Sequence, residues 1–159
     1  TEKNTIKDGM DITLCAFDKT SQILEYAGAY NPLYIVSKNQ LEALNETIEP
    51  DCSENGLNLF EIKADRFPIG SFSENAQTYT NHQFKLNHGD TIYLFSDGFA
   101  DQFGGPQGKK FRYEQFKRLL LAIYDKPMEE QHAILQQTFN QWKGNIEQID
   151  DVIVIGSRL

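Results

Sequence analysis

The feature that most constrains this chain is a run of β-branched and aromatic residues, Thr91, Ile92, Tyr93, Leu94 and Phe95, that stops abruptly at Ser96-Asp97-Gly98. Such a run predicts a buried strand ending where glycine lets the backbone bend. The strand therefore delivers Asp97 to one end of a sheet. A second acidic stop lies near the C-terminus, where Gln148-Ile149-Asp150-Asp151 runs into the strand-like Val152-Ile153-Val154-Ile155-Gly156. If the two strands are antiparallel neighbours, the end of the first and the start of the second share one sheet edge, and Asp97 and Asp150 converge. Two carboxylates brought together repel unless one is protonated or a cation lies between them, and hard divalent cations prefer oxygen ligands. The expectation is a metal site on Asp97 and Asp150. The competing reading of Asp97 is a capping or turn aspartate before Gly98. Asp101 follows one helical turn beyond Asp97 and can approach the same cation if the segment between them coils. Successive strand residues face opposite ways, so Asp151 is expected as a hydrogen-bonding partner beside Asp150.

A length of 159 residues suits one domain with a sizeable core, and a net charge of -8 argues against a nucleic-acid surface. Clustered basic residues occur only at Lys109, Lys110 and Arg112. Two cysteines do not make a disulfide framework, and Cys15 falls in an apolar alternating segment, so both are read as reduced thiols in a cytoplasmic setting. Nothing in the sequence is long and apolar enough for a membrane span, and Thr1-Glu2-Lys3-Asn4 has no signal-peptide character.

Along the chain, residues 10–18 and 22–28 alternate apolar and polar positions and predict a β-hairpin. Residues 33–37 predict a third strand and 41–44 a short fourth, continuing an antiparallel meander. Residues 45–58 are polar and acidic and read as an exposed loop, and 59–63 as a short strand. Pro68 and Gly70 make a rigid turn. Residues 78–86 alternate again and, through Asn87-His88-Gly89-Asp90, predict a second hairpin with the central strand. Gly104-Gly105-Pro106-Gln107-Gly108 reads as a mobile surface loop. Two helices follow. The first carries Phe116, Leu119, Leu120 and Ile123 at helical spacing; the second begins at Pro127, presents Leu135, Phe139 and Trp142, and ends at Gly144. Strands first, helices late and a returning last strand give an α+β class.

Four motifs in order carry a family resemblance: Tyr26-Ala27-Gly28-Ala29-Tyr30-Asn31-Pro32, Phe67-Pro68-Ile69-Gly70, Phe95-Ser96-Asp97-Gly98-Phe99 and Asp150-Asp151-Val152-Ile153-Val154. The chain resembles the PPM-type metal-dependent serine/threonine phosphatases, and within them the SpoIIE-like bacterial branch, from Asp8 to Leu159. The resemblance implies a sandwich of two antiparallel β-sheets flanked by helices, Mn²⁺ or Mg²⁺ as cofactor, and a phosphoserine or phosphothreonine protein as substrate. It implies hydrolysis by a water at a binuclear centre, with Asp97 and Asp150 as ligands of one metal.

The family's N-terminal Asp-Gly motif, whose Asp bridges both metals, has no counterpart before Asp8. Asp8-Gly9-Met10-Asp11 leads into the middle strand instead. The expectation is therefore that residues 1–159 are the C-terminal portion of one phosphatase domain, incomplete at the N-terminus and inactive alone, with a sensor or regulatory domain upstream that can tether the protein to a membrane. A sandwich so truncated exposes strand edges that can pair with a second copy. The alternative is a non-catalytic module that keeps the fold for binding or sensing.

Overall fold

The computed structural model describes residues 9–44, 48–70 and 78–159. Asp8, and residues 45–47 of the expected acidic loop, lie outside them. In chain order the strands before the central motif are β1 (Gly9–Met10), β2 (Ile12–Asp18), β3 (Ile23–Ala29), β4 (Leu33–Ser37), β5 (Glu42–Ala43), β6 (Cys52–Glu54), β7 (Leu57–Ile62), β8 (Ile69–Gly70) and β9 (His82–Lys85). The central strand β10 (Thr91–Phe95) leads into α1 (Gly98–Asp101). Then come β11 (Phe103–Gly104), β12 (Lys109–Lys110), α2 (Tyr113–Ala122), α3 (Met128–Lys143) and β13 (Val154–Arg158).

Two antiparallel sheets face each other, one ordered β13-β10-β4-β7-β6 and the other β2-β3-β9-β5. The expected α+β sandwich is what the chain forms. Strands β4, β7 and β10 are buried on both faces, because each alternates its apolar side chains between two cores. Leu33, Ile35, Phe60, Ile62 and Ile92 pack between the sheets against Leu24, Tyr26 and Phe84. Tyr34, Val36, Leu59, Tyr93 and Phe95 point the other way, against Phe99, Phe116, Leu120, Leu135 and Phe139 of the helices.

That double burial corrects the meander. β4 does not pair with β3; it crosses to the other sheet and lies between β10 and β7. β5 returns to the first sheet beside β9. The second hairpin is also corrected, since β9 pairs with β3 and β5 while β10 pairs with β4 and β13. The turn between β9 and β10 is nonetheless tight. Asn87 N–H donates to Asp90 Oδ2 at 2.7 Å, and Gly89 takes φ 94°, which glycine adopts without strain. Alternation told which face each residue occupies but not which strand lies next to it.

Two loops are more ordered than their composition suggested. Residues 52–54 form a strand against β7. The glycine-rich segment is a ribbon, β11 paired with β12, closed against α3: Gly105 N–H donates to the Trp142 carbonyl at 2.8 Å and Trp142 Nε1 to the Gln102 carbonyl at 3.0 Å. A Cβ at Gly104 would lie 1.9 Å from the Trp142 carbonyl oxygen, so that glycine permits a close approach. Both helices fall where their apolar spacing placed them, with Pro127 at the N-cap of α3 rather than inside it and Gly144 at its C-cap.

The helical layer is fastened to β10 by a buried polar side chain. Gln131, 2% exposed, accepts from the Tyr93 hydroxyl at 2.7 Å and donates to the Tyr124 and Lys126 carbonyls at 3.2 and 3.0 Å. Leaving those groups without partners is costly. Gln131→Ala is expected to lower stability by about 2 kcal/mol in urea unfolding, with the hydroxyl and carbonyls stranded.

Candidate metal centre

The antiparallel register expected for the central and final strands is present. Phe95 lies opposite Val154 and Thr91 opposite Arg158. The pairing continues one step past the strands, where Ser96 N–H donates to the Ile153 carbonyl at 3.0 Å. The Ser96 hydroxyl then does two things: it donates to the Asp151 carbonyl at 2.8 Å and accepts from Ile153 N–H at 3.0 Å. A Cβ at Gly98 would lie 2.4 Å from the Asp151 carbonyl oxygen. The segment carrying Asp150 and Asp151 is thereby pressed onto the backbone that follows Asp97, at one rim of the five-stranded sheet.

At that rim the acids divide between two neighbouring recesses. Asp97 lines the first with Asp11, Tyr30, Asn31, Pro32, Phe95 and Tyr113. Asp101 and Asp150 line the second with Gly98, Gln102 and Lys110. Asp97 occupies the N-cap position of α1 yet makes no side-chain cap hydrogen bond, which removes the capping explanation for it. Its carboxylate is exposed. Asp101 N–H donates to the Asp97 carbonyl at 2.9 Å, so the intervening segment does coil, and the Asp101 carboxylate pairs with Lys110 at 3.1 Å. Asp150 is exposed, and its carbonyl accepts from Gln148 Nε2 at 3.0 Å. Asp151 contributes its backbone carbonyl to Ser96.

Asp11 was not singled out from the sequence. It sits between β1 and β2, and its approach to Asp97 depends on the crossing from β3 to β4. That crossing is a tight turn. Tyr30 takes φ 60°, the Tyr26 hydroxyl and Thr13 Oγ1 both donate to the Asn31 carbonyl at 2.9 and 3.0 Å, and a Cβ at Gly28 would fall 2.2 Å from the Tyr26 hydroxyl. The Tyr-Ala-Gly-Ala-Tyr-Asn-Pro motif is thus the corner that carries the chain between sheets at the acidic rim. Burial, with a smaller contribution from the Asp101 and Asp97 carboxylates, pushes the Tyr113 hydroxyl up to about 12. Burial also pushes the Cys15 thiol up to about 11, which leaves it protonated and unreactive at neutral pH.

As a cation site, the rim offers oxygen donors of the kind that hard divalent ions prefer. The set is incomplete, for among the described residues no group of three or more His, Cys, Asp or Glu side chains is gathered to hold an ion. A larger recess, about 610 Å³ between α3 and β13, has no carboxylate in its lining and is not the candidate centre.

The layered antiparallel sheets with helices outside match the PP2C-like phosphatase fold. The chain belongs to the family of stage II sporulation protein E, whose family model matches residues 2–159. Among solved structures, it is similar to the SiaA PP2C domain of Pseudomonas aeruginosa, with 28% identity and a TM-score of 0.75 over 94% of this chain and 51% of that one. It is also similar in fold to the phosphatase domain of the cell-fate determinant SpoIIE from Bacillus subtilis, presoaked with Mn, at 17% identity and a TM-score of 0.61, over 94% of this chain and 56% of that one. A further SpoIIE structure, with a fragment of the regulatory domain, gives 18% identity and a TM-score of 0.64, over 93% of this chain and 38% of that one. The chain thus spans about half the length of the phosphatase domains it matches. No curated protein sequence matches it.

The acidic rim depends on the close backbone approach of Asp151 to Gly98. Gly98→Ala is expected to force the segment before β13 away from α1 and to cost about 2 kcal/mol in urea unfolding.

Proposed function

We propose that this chain is part of a divalent-metal-dependent phosphatase acting on phosphoserine or phosphothreonine of a regulatory protein in bacterial signalling. The observation that supports it most is Asp97: a carboxylate at a helix N-cap position that makes no cap bond and stands at the rim where the segment carrying Asp150 is clamped. In this reading Asp97 and Asp150, reaching from the two neighbouring recesses, would hold the cation, Mn²⁺ or Mg²⁺, and Asp11, which shares the recess of Asp97, would be a further oxygen donor. Asp101 balances Lys110 and sets the charge of the second recess. Asp151 works through its backbone, fixing where Asp150 begins. The cation supplies polarisation of the phosphoryl oxygens and neutralisation of charge on the leaving oxygen. The carboxylates are then ligands and not proton acceptors.

The incomplete ligand group favours a second reading, a non-catalytic module that uses the same fold for protein binding. Under the first reading, the remaining ligands come from parts of the domain outside this span, and the 159 residues alone turn over little.

The test is turnover of a phosphoserine peptide by the intact domain in Mn²⁺, with Asp97→Asn and Asp150→Asn compared with the unaltered protein. Each variant is expected to lose roughly a hundredfold or more, since a lost ligand removes several kcal/mol of charge stabilisation. Chelation of the metal should abolish activity, and added Mn²⁺ should restore it. Unchanged turnover in both variants, or activity indifferent to chelation, removes this reading and leaves the binding module.

A further inference from the structure

We propose that the recess between the β11–β12 ribbon and the start of α2 binds an acidic segment of the protein substrate, alongside the group that reacts at the acidic rim. The word substrate rests on the phosphatase reading above; the binding itself does not. The recess has a volume of about 280 Å³ and is lined by Lys109, Lys110, Arg112, Gln107, Gln115 and Trp142, with no carboxylate in its lining. In a chain of net charge -8, a recess lined by three cations and no acid is a local reversal of sign. Lys110 is paired with Asp101, but no hydrogen bond or ion pair joins the side chain of Lys109 or Arg112 to a described residue.

The platform beneath these cations is fixed. The ribbon is bonded to Trp142 through Gly105, the Phe111 ring meets the Trp142 ring edge-on at 5.3 Å, and Arg112 N–H donates to the Ala100 carbonyl at 2.7 Å. Charged groups held on a rigid frame lose less freedom on binding. Arg112 is held there at φ 73°, a conformation that suits glycine. The arginine side chain therefore occupies a position where the backbone alone asks for none.

Position gives the recess its relation to chemistry. Lys110 also lines the neighbouring recess of Asp101 and Asp150, so a bound chain can run from the cations to the rim. Complementary charge of this kind speeds encounter and fixes register. The two glutamines add neutral donors and acceptors for a peptide. The scarcity of other exposed cation clusters in an acidic chain argues against nucleic acid as the occupant.

Trp142 is the sole tryptophan of the chain and lines the recess, so its emission reports occupancy without any need for turnover. A phosphate-free peptide rich in Asp and Glu is expected to change that emission saturably, with affinity that falls as salt rises; the same peptide with Asn and Gln in their place is expected to do nothing. Lys109→Ser with Arg112→Gly should weaken the acidic peptide about tenfold, as loss of complementary charge does, while thermal unfolding shows the fold intact because φ at position 112 suits glycine. In the intact domain the same pair should raise KM for an acid-flanked phosphopeptide by a similar factor, leaving kcat, and turnover of a small aryl phosphate, unchanged. Equal binding of the neutral peptide, an identical emission change with inorganic phosphate alone, or undiminished affinity in the double variant would overturn the proposal. Absence of any phosphoester hydrolysis would count against the phosphatase reading only, because the emission titration decides the recess by itself.

Discussion

The architecture of the acidic rim depends on how Ser96 joins the end of β10 to the approach of β13. Its backbone extends the ladder by one bond, and its hydroxyl, accepting from Ile153 and donating to Asp151, holds the incoming segment where a strand has already ended. Gly98 then lets the Asp151 carbonyl come closer than any side-chain-bearing residue would allow. Without both, Asp150 would leave the sheet wherever its loop happened to fall. With both, more than fifty residues of intervening chain are closed into a fixed relation between two acidic stops. The Ser-Asp-Gly sequence therefore combines a clamp, a carboxylate and an open space in three consecutive positions.

What keeps that rim in place is the double burial of β10. Tyr93 and Phe95 are packed against the helices, Ile92 against the opposite sheet, and the Gln131 side chain ties Tyr93 to the turn between α2 and α3. Lys117 adds a further link from α2, reaching Asp51 at 2.6 Å and Glu61 at 2.5 Å. A strand packed on both faces has little freedom to slide, because a slip of one residue would exchange its two sets of side chains. The carboxylates at its end inherit that fixity, which is what a site for a multiply charged ligand needs.

Elements were legible in the sequence wherever one periodicity dominated. The β2–β3 hairpin and both long helices followed from local pattern, whereas the antiparallel meeting of residues 91–95 with the final strand entered as a condition that the structure meets. Partners of β4 did not, although the signal was there: Leu33-Tyr34-Ile35-Val36 is apolar without alternation, which marks a strand covered on both sides and hence one in the middle of a sheet. The pairing of β9 was hidden for a different reason, since Asn87-His88-Gly89-Asp90 is a good turn whether it joins two strands of one sheet or passes between sheets. The ribbon at Gly104 and Gly105 was read as mobile because its glycines suggest freedom, whereas here they admit the Trp142 backbone and ring. Among the acids at the rim, Asp97 was singled out because it ends an apolar run, Asp150 and Asp151 because they precede one, and Asp101 because it lies one helical turn beyond Asp97. Asp11 has no such mark. Its place beside Asp97 comes from the corner at Tyr30, where the chain changes sheets, and that is a tertiary fact.

The claim on which the functional account stands is that the acidic rim, and no other part of this molecule, draws in a divalent cation. Paramagnetic broadening of backbone amide signals by Mn²⁺ measures this directly, since the effect falls steeply with distance from the ion. The account expects the amides of Asp11, Ser96, Asp97, Gly98, Asp150 and Asp151 to broaden together at the lowest Mn²⁺ additions, with those around Lys126 and His132 unaffected. Broadening that begins elsewhere, or that reaches Asp97 without the segment of Asp150 and Asp151, would contradict it.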